Sequence, residues 1–349
     1  MINTSELILD KIAVHYVGNK NAAAGIRQSQ SLLELDELVQ ELLLKYFLSP
    51  FKTETFYNFS HPSDIELNEV YSFASQIFEN TDTFLDQSVN IARHLYDCSN
   101  HPKIKAGEFY AVYFKDILID DELVDAIGLF KSENKDIYLK VYQKDNNYQI
   151  NSDIGININR LDKGCLIFNT EKDLGFKVAL VDNTNKGEEA QFWKDYFLKV
   201  KNRKDNFYFT QNHMEVVSGF VEEVFNQDNN IPKTQQIDVL KKSVDYFKQN
   251  EDFKVEDFEK QVMIQPEIIE SFQNYKREYA ADNQIELRDG FNIAPRAVSQ
   301  AQKFFKGRSV IKLDKNFSLY VHGEREFIEK GWDDTKRMHF YKVFFMEEY

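Results

Sequence analysis

The chain has 349 residues, more than one typical core fills, so one large or two modest domains are expected. Apolar residues make up 42 % and charged residues 29 %, and the mean hydropathy is -0.52, which excludes a disordered or membrane-spanning class. The 43 basic and 57 acidic residues leave a net charge of -14, which argues against a protein that coats itself with polyanions, although a local basic surface stays compatible with it.

Residues 8–17 alternate around Ile12, Val14 and Tyr16 and predict a first strand, followed by a polar loop through Gly25. Leu38, Leu42, Leu43, Tyr46 and Phe47 recur at helical spacing after Asp36, and this helix stops at Ser49-Pro50. Ser63-Asp64-Ile65-Glu66 reads as a capping box opening a helix that carries Leu67, Val70, Ala74, Ile77 and Phe78. A further helix holds Phe84, Ser88, Ile91 and Leu95 and ends near Asn100-His101-Pro102. Residues 107–118, 124–132 and 136–143 predict an antiparallel meander, continued by strands over 164–169 and 176–182. The loops are too short for parallel crossovers. A short helix with Phe192, Trp193, Tyr196 and Phe197 follows.

From 205 to 281 the pattern is helical, with stripes at Met214–Phe225, Ile237–Phe247 and Phe272–Tyr279 and a linker at 228–232. Strands are expected again over 309–313, 317–321, 325–329 and 338–345. The fold class is therefore α+β: an N-terminal domain over 1–200 with an antiparallel sheet, then a helical region with a small C-terminal β unit over 201–349. The 30 Phe and 18 Tyr are expected to fill cores rather than stack on bases. The opening residues lack a basic start and an apolar stretch, and Cys98 and Cys165 are too few for a disulfide scaffold. Both features predict a cytoplasmic chain with free thiols.

Signatures of chemistry are scarce. Neither a Walker-type phosphate loop nor G-x-G-x-x-G occurs. The seven histidines form no metal-binding spacing, and His322-Gly323-Glu324 lacks the cysteine pair a zinc deaminase needs. Asp116, Asp120 or Asp121 followed by Glu133-Asn134-Lys135 has the outline of a metal-dependent nuclease, in which Lys135 would steady an attacking water. The alternative, polar turns between strands at 120–122 and 132–136, is the preferred reading. Cys165, at the head of an apolar strand, is expected to be buried and inert. No cofactor and no metal are expected.

Two stretches are locally basic. Residues 194–205 carry Lys194, Lys199, Lys201, Arg203 and Lys204 against Asp195 and Asp205. Residues 296–315 carry Arg296, Lys303, Lys306, Arg308, Lys312 and Lys315 against Asp314, with Phe304 and Phe305 interleaved. Such stretches suit phosphate contacts, and equally suit a solvated face. The acidity is concentrated elsewhere: the first 100 residues hold 14 acidic and 6 basic side chains.

Ile12–His15, Leu67–Tyr71, His101–Glu108, Leu161–Asn169, Phe192–Leu198 and Phe317–Arg325 together resemble the bacterial 37-kDa nucleoid-associated protein family, over nearly the whole chain. The resemblance implies a nucleoid location and nucleic-acid binding without a catalytic role, and supplies no functional residues to transfer. The expected nucleic-acid face therefore rests on Lys199, Lys201, Arg203, Lys204, Arg296, Lys303, Lys306, Arg308 and Lys312. DNA is the expected partner and no membrane is involved. The alternatives are an adaptor binding chromosome-associated proteins through its acidic N-terminal region, and the metal-dependent nuclease.

Overall fold

A computed structural model describes residues 2–3, 7–52, 55–184, 192–226, 228–229, 231–306, 310–313, 317–320 and 327–347, without the side chains of 303, 304 and 306. It divides into two compact units, Met1–Arg203 and Lys204–Tyr349. The fold is α+β.

The first unit contains β1 (Ile8–Val17), β2 (Ile26–Arg27), α1 (Glu37–Leu48), β3 (Phe56–Phe59), α2 (Glu69–Glu79) and α3 (Phe84–Cys98). These are followed by β4 (Gly107–Ile119), β5 (Glu122–Ser132), β6 (Asp136–Lys144), β7 (Asn147–Gly155), β8 (Lys163–Phe168), β9 (Lys177–Asp182), a wide helical turn at Phe192–Leu198, and β10 (Val200–Asn202). Eight strands form one antiparallel sheet in the order β10-β3-β9-β8-β5-β4-β1-β2.

Both faces of this sheet are covered. Phe109, Ala111 and Tyr113 of β4 point into a core shared with α2, α3 and the Phe192–Leu198 turn. Their neighbours Tyr110, Val112 and Phe114 point into a second core that holds Tyr46 and Phe47 of α1. Strands buried on both faces need apolar side chains at every position, which is why β4, β5 and β8 read as continuous apolar runs instead of alternating ones. Aromatic rings fill these cores as expected: Phe47 stacks on Phe130 at 4.2 Å between centroids. Cys165 is fully buried, and burial pushes its thiol well above the ordinary range.

Three local readings are corrected. Ser63-Asp64 opens only a tight 3₁₀ turn at Ile65–Leu67, with Asp64 accepting from the Glu66 amide. The α-helix itself is capped by Asn68, whose side chain accepts from the Tyr71 amide, and Leu67 is left exposed. Second, β6 does not continue the meander. It pairs with β7, over a stretch to which the sequence pattern assigns no element, and the two leave the main sheet as a separate hairpin. Third, β3, also unforeseen, joins β9 to β10 inside the sheet.

The second unit contains α4 (Asn206–Glu223), α5 (Lys233–Gln249), β11 (Asp252–Lys254), α6 (Val255–Phe258), α7 (Pro266–Asp282), β12 (Gly290–Asn292), α8 (Pro295–Lys306), β13 (Val310–Leu313), β14 (Phe317–Tyr320), β15 (Ile328–Asp333) and β16 (Met338–Val343). The helices enclose an aromatic core that includes Phe220, Phe247, Phe253, Phe258 and Phe272. The short strands form two-stranded pairs, β11-β12, β13-β14 and β15-β16. Gly219 lets α4 approach α7, because a side chain there would collide with the Tyr275 hydroxyl. The expected third C-terminal strand lies later than its pattern suggested, at Ile328–Asp333. His322-Gly323-Glu324 lies outside the described residues. No helix among the described residues is long and apolar enough to cross a membrane.

Candidate nucleic-acid interface

At one end of the large sheet, β4 begins, β5 ends, β8 begins and β9 ends. The antiparallel register places Lys131 opposite Lys163, and Lys163 opposite Asp182. Both lysine side chains are withdrawn from solvent, with 0 % and 2 % exposure. Two ammonium groups side by side in a sheet would repel each other strongly at low local dielectric. Glu133 prevents this. Its carboxylate, 4 % exposed, bridges them at 3.0 Å to Lys131 Nζ and 3.1 Å to Lys163 Nζ.

Both ammonium groups have further partners. Lys131 Nζ donates to the Lys105 carbonyl at 2.7 Å, and Lys163 Nζ donates to the Thr184 hydroxyl and lies 3.7 Å from Asp182 Oδ1. Burial lowers the affinity of the Lys131 amine for its proton, and Glu133 opposes that effect. The buried Asp162 holds the connection after β5 by accepting from the Glu133 amide at 2.6 Å, the Asn134 amide at 2.9 Å and the Asn134 side chain at 2.7 Å.

A cleft of about 510 Å³ opens above this cluster, lined by Pro102, Lys103, Ile104, Lys105, Glu133, Asn134, Arg160, Lys163, Thr184 and Phe192. Its rim is cationic: Lys103, Lys105 and Arg160 are all exposed. Asn19 fixes the 101–106 segment against the sheet, its side chain donating to the His101 and Ile104 carbonyls at 2.8 and 2.7 Å. Lys105 Nζ reaches across to Asn134 Oδ1 at 2.7 Å. Chemically, the site presents rim cations to an anion while the interior charges are already balanced.

The sequence-derived basic residues fall elsewhere. Lys199 is ion-paired with Glu69 at 2.6 Å. Arg203 binds Glu171 in a two-pronged pair at 2.5 and 3.0 Å. Lys201 stands exposed between them on β10. In the second unit, Lys204 pairs with Glu286 at 2.6 Å, Arg296 is exposed in the first turn of α8, and Lys312 is exposed on β13. Lys303 and Lys306 belong to α8, but their side chains lie outside the description, and Arg308 lies outside the described residues.

The nuclease outline is not assembled. The β4–β5 register puts Glu133 at one end of that hairpin and Asp120-Asp121 in the turn at the other. Asp116 lies between them at a bulge, so each aspartate is about 25 Å or more along the strands from Glu133. Nor is 132–136 a turn between paired strands, because Glu133 is buried and β5 does not pair with β6. Among the described residues, no group of three or more His, Cys, Asp or Glu side chains could hold a metal ion.

Sequence reasoning missed Lys103 and Lys105 as neighbours of Arg160 and Lys163, because the two pairs are more than 50 residues apart along the chain. A signal did exist. Three of the segments that carry the family resemblance, His101–Glu108, Leu161–Asn169 and Phe192–Leu198, each contribute to the cleft lining. No curated protein matches the chain. A family model described as nucleoid-associated protein YejK matches residues 13–337, nearly the whole length. The chain belongs to this family of nucleoid-associated proteins.

Proposed function

We propose that this nucleoid-associated chain is a non-catalytic, cytoplasmic protein that binds nucleic acid, with DNA as the preferred partner, through local cationic surfaces. The observation that carries the reading is the grouping of Lys103, Lys105 and Arg160 around the cleft above the buried, ion-paired Lys131–Glu133–Lys163 cluster. Affinity for a polyanion depends on the cations a phosphate can reach, not on net charge, so a molecule at -14 can bind through such a patch. Lys199, Lys201, Arg203, Lys204, Arg296, Lys303, Lys306, Arg308 and Lys312 are proposed as additional contacts. At Lys199, Arg203 and Lys204 a phosphate would have to compete with a carboxylate.

The test is duplex DNA binding followed by fluorescence anisotropy over a salt series. Replacing Lys103, Lys105 and Arg160 with alanine should weaken binding and flatten the log–log salt slope by roughly one unit per lost phosphate contact. Unchanged affinity and slope would remove the cleft from the interface.

A second reading, an adaptor for chromosome-associated proteins, is favoured by α1. This helix exposes Leu38, Val39 and Leu42 beside Glu37 and Glu41, an acidic apolar surface. Capture from nuclease-treated lysate separates the two readings: partners retained after DNA removal, and lost on Leu38→Ser with Leu42→Ser, support the adaptor.

A further inference from the structure

The hairpin of β6 and β7 carries nine paired positions, from Asp136 opposite Gly155 to Lys144 opposite Asn147. It closes through Asp145-Asn146, both with positive φ (48° and 63°), as a tight two-residue hairpin turn requires. Among the described residues no third strand pairs with either edge. Its base is anchored: Lys135 pairs with Glu108 at 2.6 Å, and the Asn157 side chain donates to Asp136 at 2.9 Å.

The two faces of the hairpin differ. One is polar and satisfied within itself. Lys140 lies 3.6 Å from Asp153, Tyr138 donates to Asp153 at 3.3 Å, and Tyr142 joins Gln149 and Asn151 at 3.1 and 3.0 Å. The other face presents Ile137, Leu139, Val141, Tyr148, Ile150 and Ile154, each 61–77 % exposed. At roughly 100 Å² per apolar side chain, this face offers about 600 Å² of apolar surface. That equals the largest patch an ordinary monomer shows. With the adjoining backbone and polar atoms it approaches the ~800 Å² per partner that a stable dimer buries.

Charge selects the occupant. Residues 136–155 carry Asp136, Asp145 and Asp153 against Lys140 and Lys144, close to neutral in a chain of net charge -14. Two copies repel over most of their surfaces but not here. The apolar face has no row of cations for a nucleic acid to follow. A face that meets itself about a two-fold axis needs no other complementary surface. We propose that the Ile137–Ile154 face of the arm packs against the same face of a second copy, making the protein a homodimer joined through its β6–β7 arms.

Light scattering coupled to size exclusion, run over a range of concentrations, tests this on the full chain. The wild type should be a dimer at micromolar concentration. Leu139→Asp with Ile150→Asp should raise the dimer dissociation constant about 100-fold or more, whereas Asn151→Asp on the polar face should leave it unchanged. A monomeric wild type, or a dimer indifferent to the Leu139/Ile150 change, would overturn the proposal. A disulfide probe covers the case in which the double variant misfolds. Ser152→Cys, opposite Leu139 in the middle of the apolar face, should cross-link two copies in a Cys98→Ser background on mild oxidation. Absence of the cross-link would also overturn it.

Discussion

The His15 ring and the Ser88 hydroxyl meet at 3.0 Å inside the first unit, joining β1 to α3. The Ser29 amide donates to Nδ1 of the same ring at 3.2 Å, so Nε2 carries the proton and donates to Ser88, whose hydroxyl in turn donates a hydrogen bond to the Leu85 carbonyl. His213 is held similarly in the second unit. It donates from Nε2 to the Arg288 carbonyl at 2.9 Å and lies against Phe253 and Phe291. Burial lowers both rings from 6.5 to about 4. Below pH 6.5 the unfolded chain takes up protons that the folded chain refuses. Stability should therefore be complete above about pH 7 and fall as pH drops from 6.5 towards 4. Urea unfolding measured between pH 7 and pH 5 checks this. His15→Gln and His213→Gln should each flatten the pH slope, whatever they do to stability at pH 7.

Glu133 is the single carboxylate bridging two buried lysines, so its removal is expected to be costly. Glu133→Ala leaves Lys131 and Lys163 opposed without an intervening anion and should destabilise the first unit by about 3–5 kcal/mol. Replacing all three residues with methionine removes both buried lysines together with the carboxylate that bridges them, and should cost less than Glu133→Ala alone. Urea titration of the two variants gives the comparison. A cost below about 1 kcal/mol for Glu133→Ala would mean that water reaches both amines.

Asn68 has two tasks at one buried position. Its Oδ1 caps α2 through the Tyr71 amide, and its Nδ2 donates to the Leu198 carbonyl at 3.0 Å, tying the helix to the turn before β10. Asn68→Ala should cost about 2 kcal/mol, because a cap and a buried bond are both lost. Asn68→Asp keeps the cap but turns an oxygen towards a carbonyl, and should fall between wild type and alanine. Thermal unfolding resolves the order.

The parts of the fold legible in sequence were those in which one interaction dominates. Continuous apolar runs marked β4, β5 and β8 because both faces of the sheet are buried. Asp36 marked the start of α1 because its carboxylate caps the Val39 amide. β7 was not legible, since Asn147-Tyr148-Gln149-Ile150-Asn151-Ser152-Asp153 is polar at most positions and is held by cross-strand bonds to β6. The start of α2 was misplaced because Asn68 gains from contacts with Leu198 and Lys199, 130 residues away, which no local pattern encodes. The cleft was hidden for the same reason: the segment before β4 that carries Lys103 meets the start of β8, near Arg160 and Lys163, only in the folded sheet.

The ion pairs on β10 allow a direct test of whether that strand meets nucleic acid. Glu171 holds both prongs of the Arg203 guanidinium, and Glu69 holds Lys199, so neither cation is presented to solvent alone. If phosphates approach this strand, each carboxylate competes with them and repels them. Glu171→Gln and Glu69→Gln keep the side-chain shape and remove the charge. Each should strengthen DNA binding severalfold at low salt and steepen the salt slope by up to roughly one unit, because one more cation becomes available for counterion release. Anisotropy titrations at several salt concentrations measure both quantities. If DNA contacts only the cleft, the two variants will change affinity slightly through net charge while the slope stays constant, and Lys199, Lys201 and Arg203 will drop out of the interface.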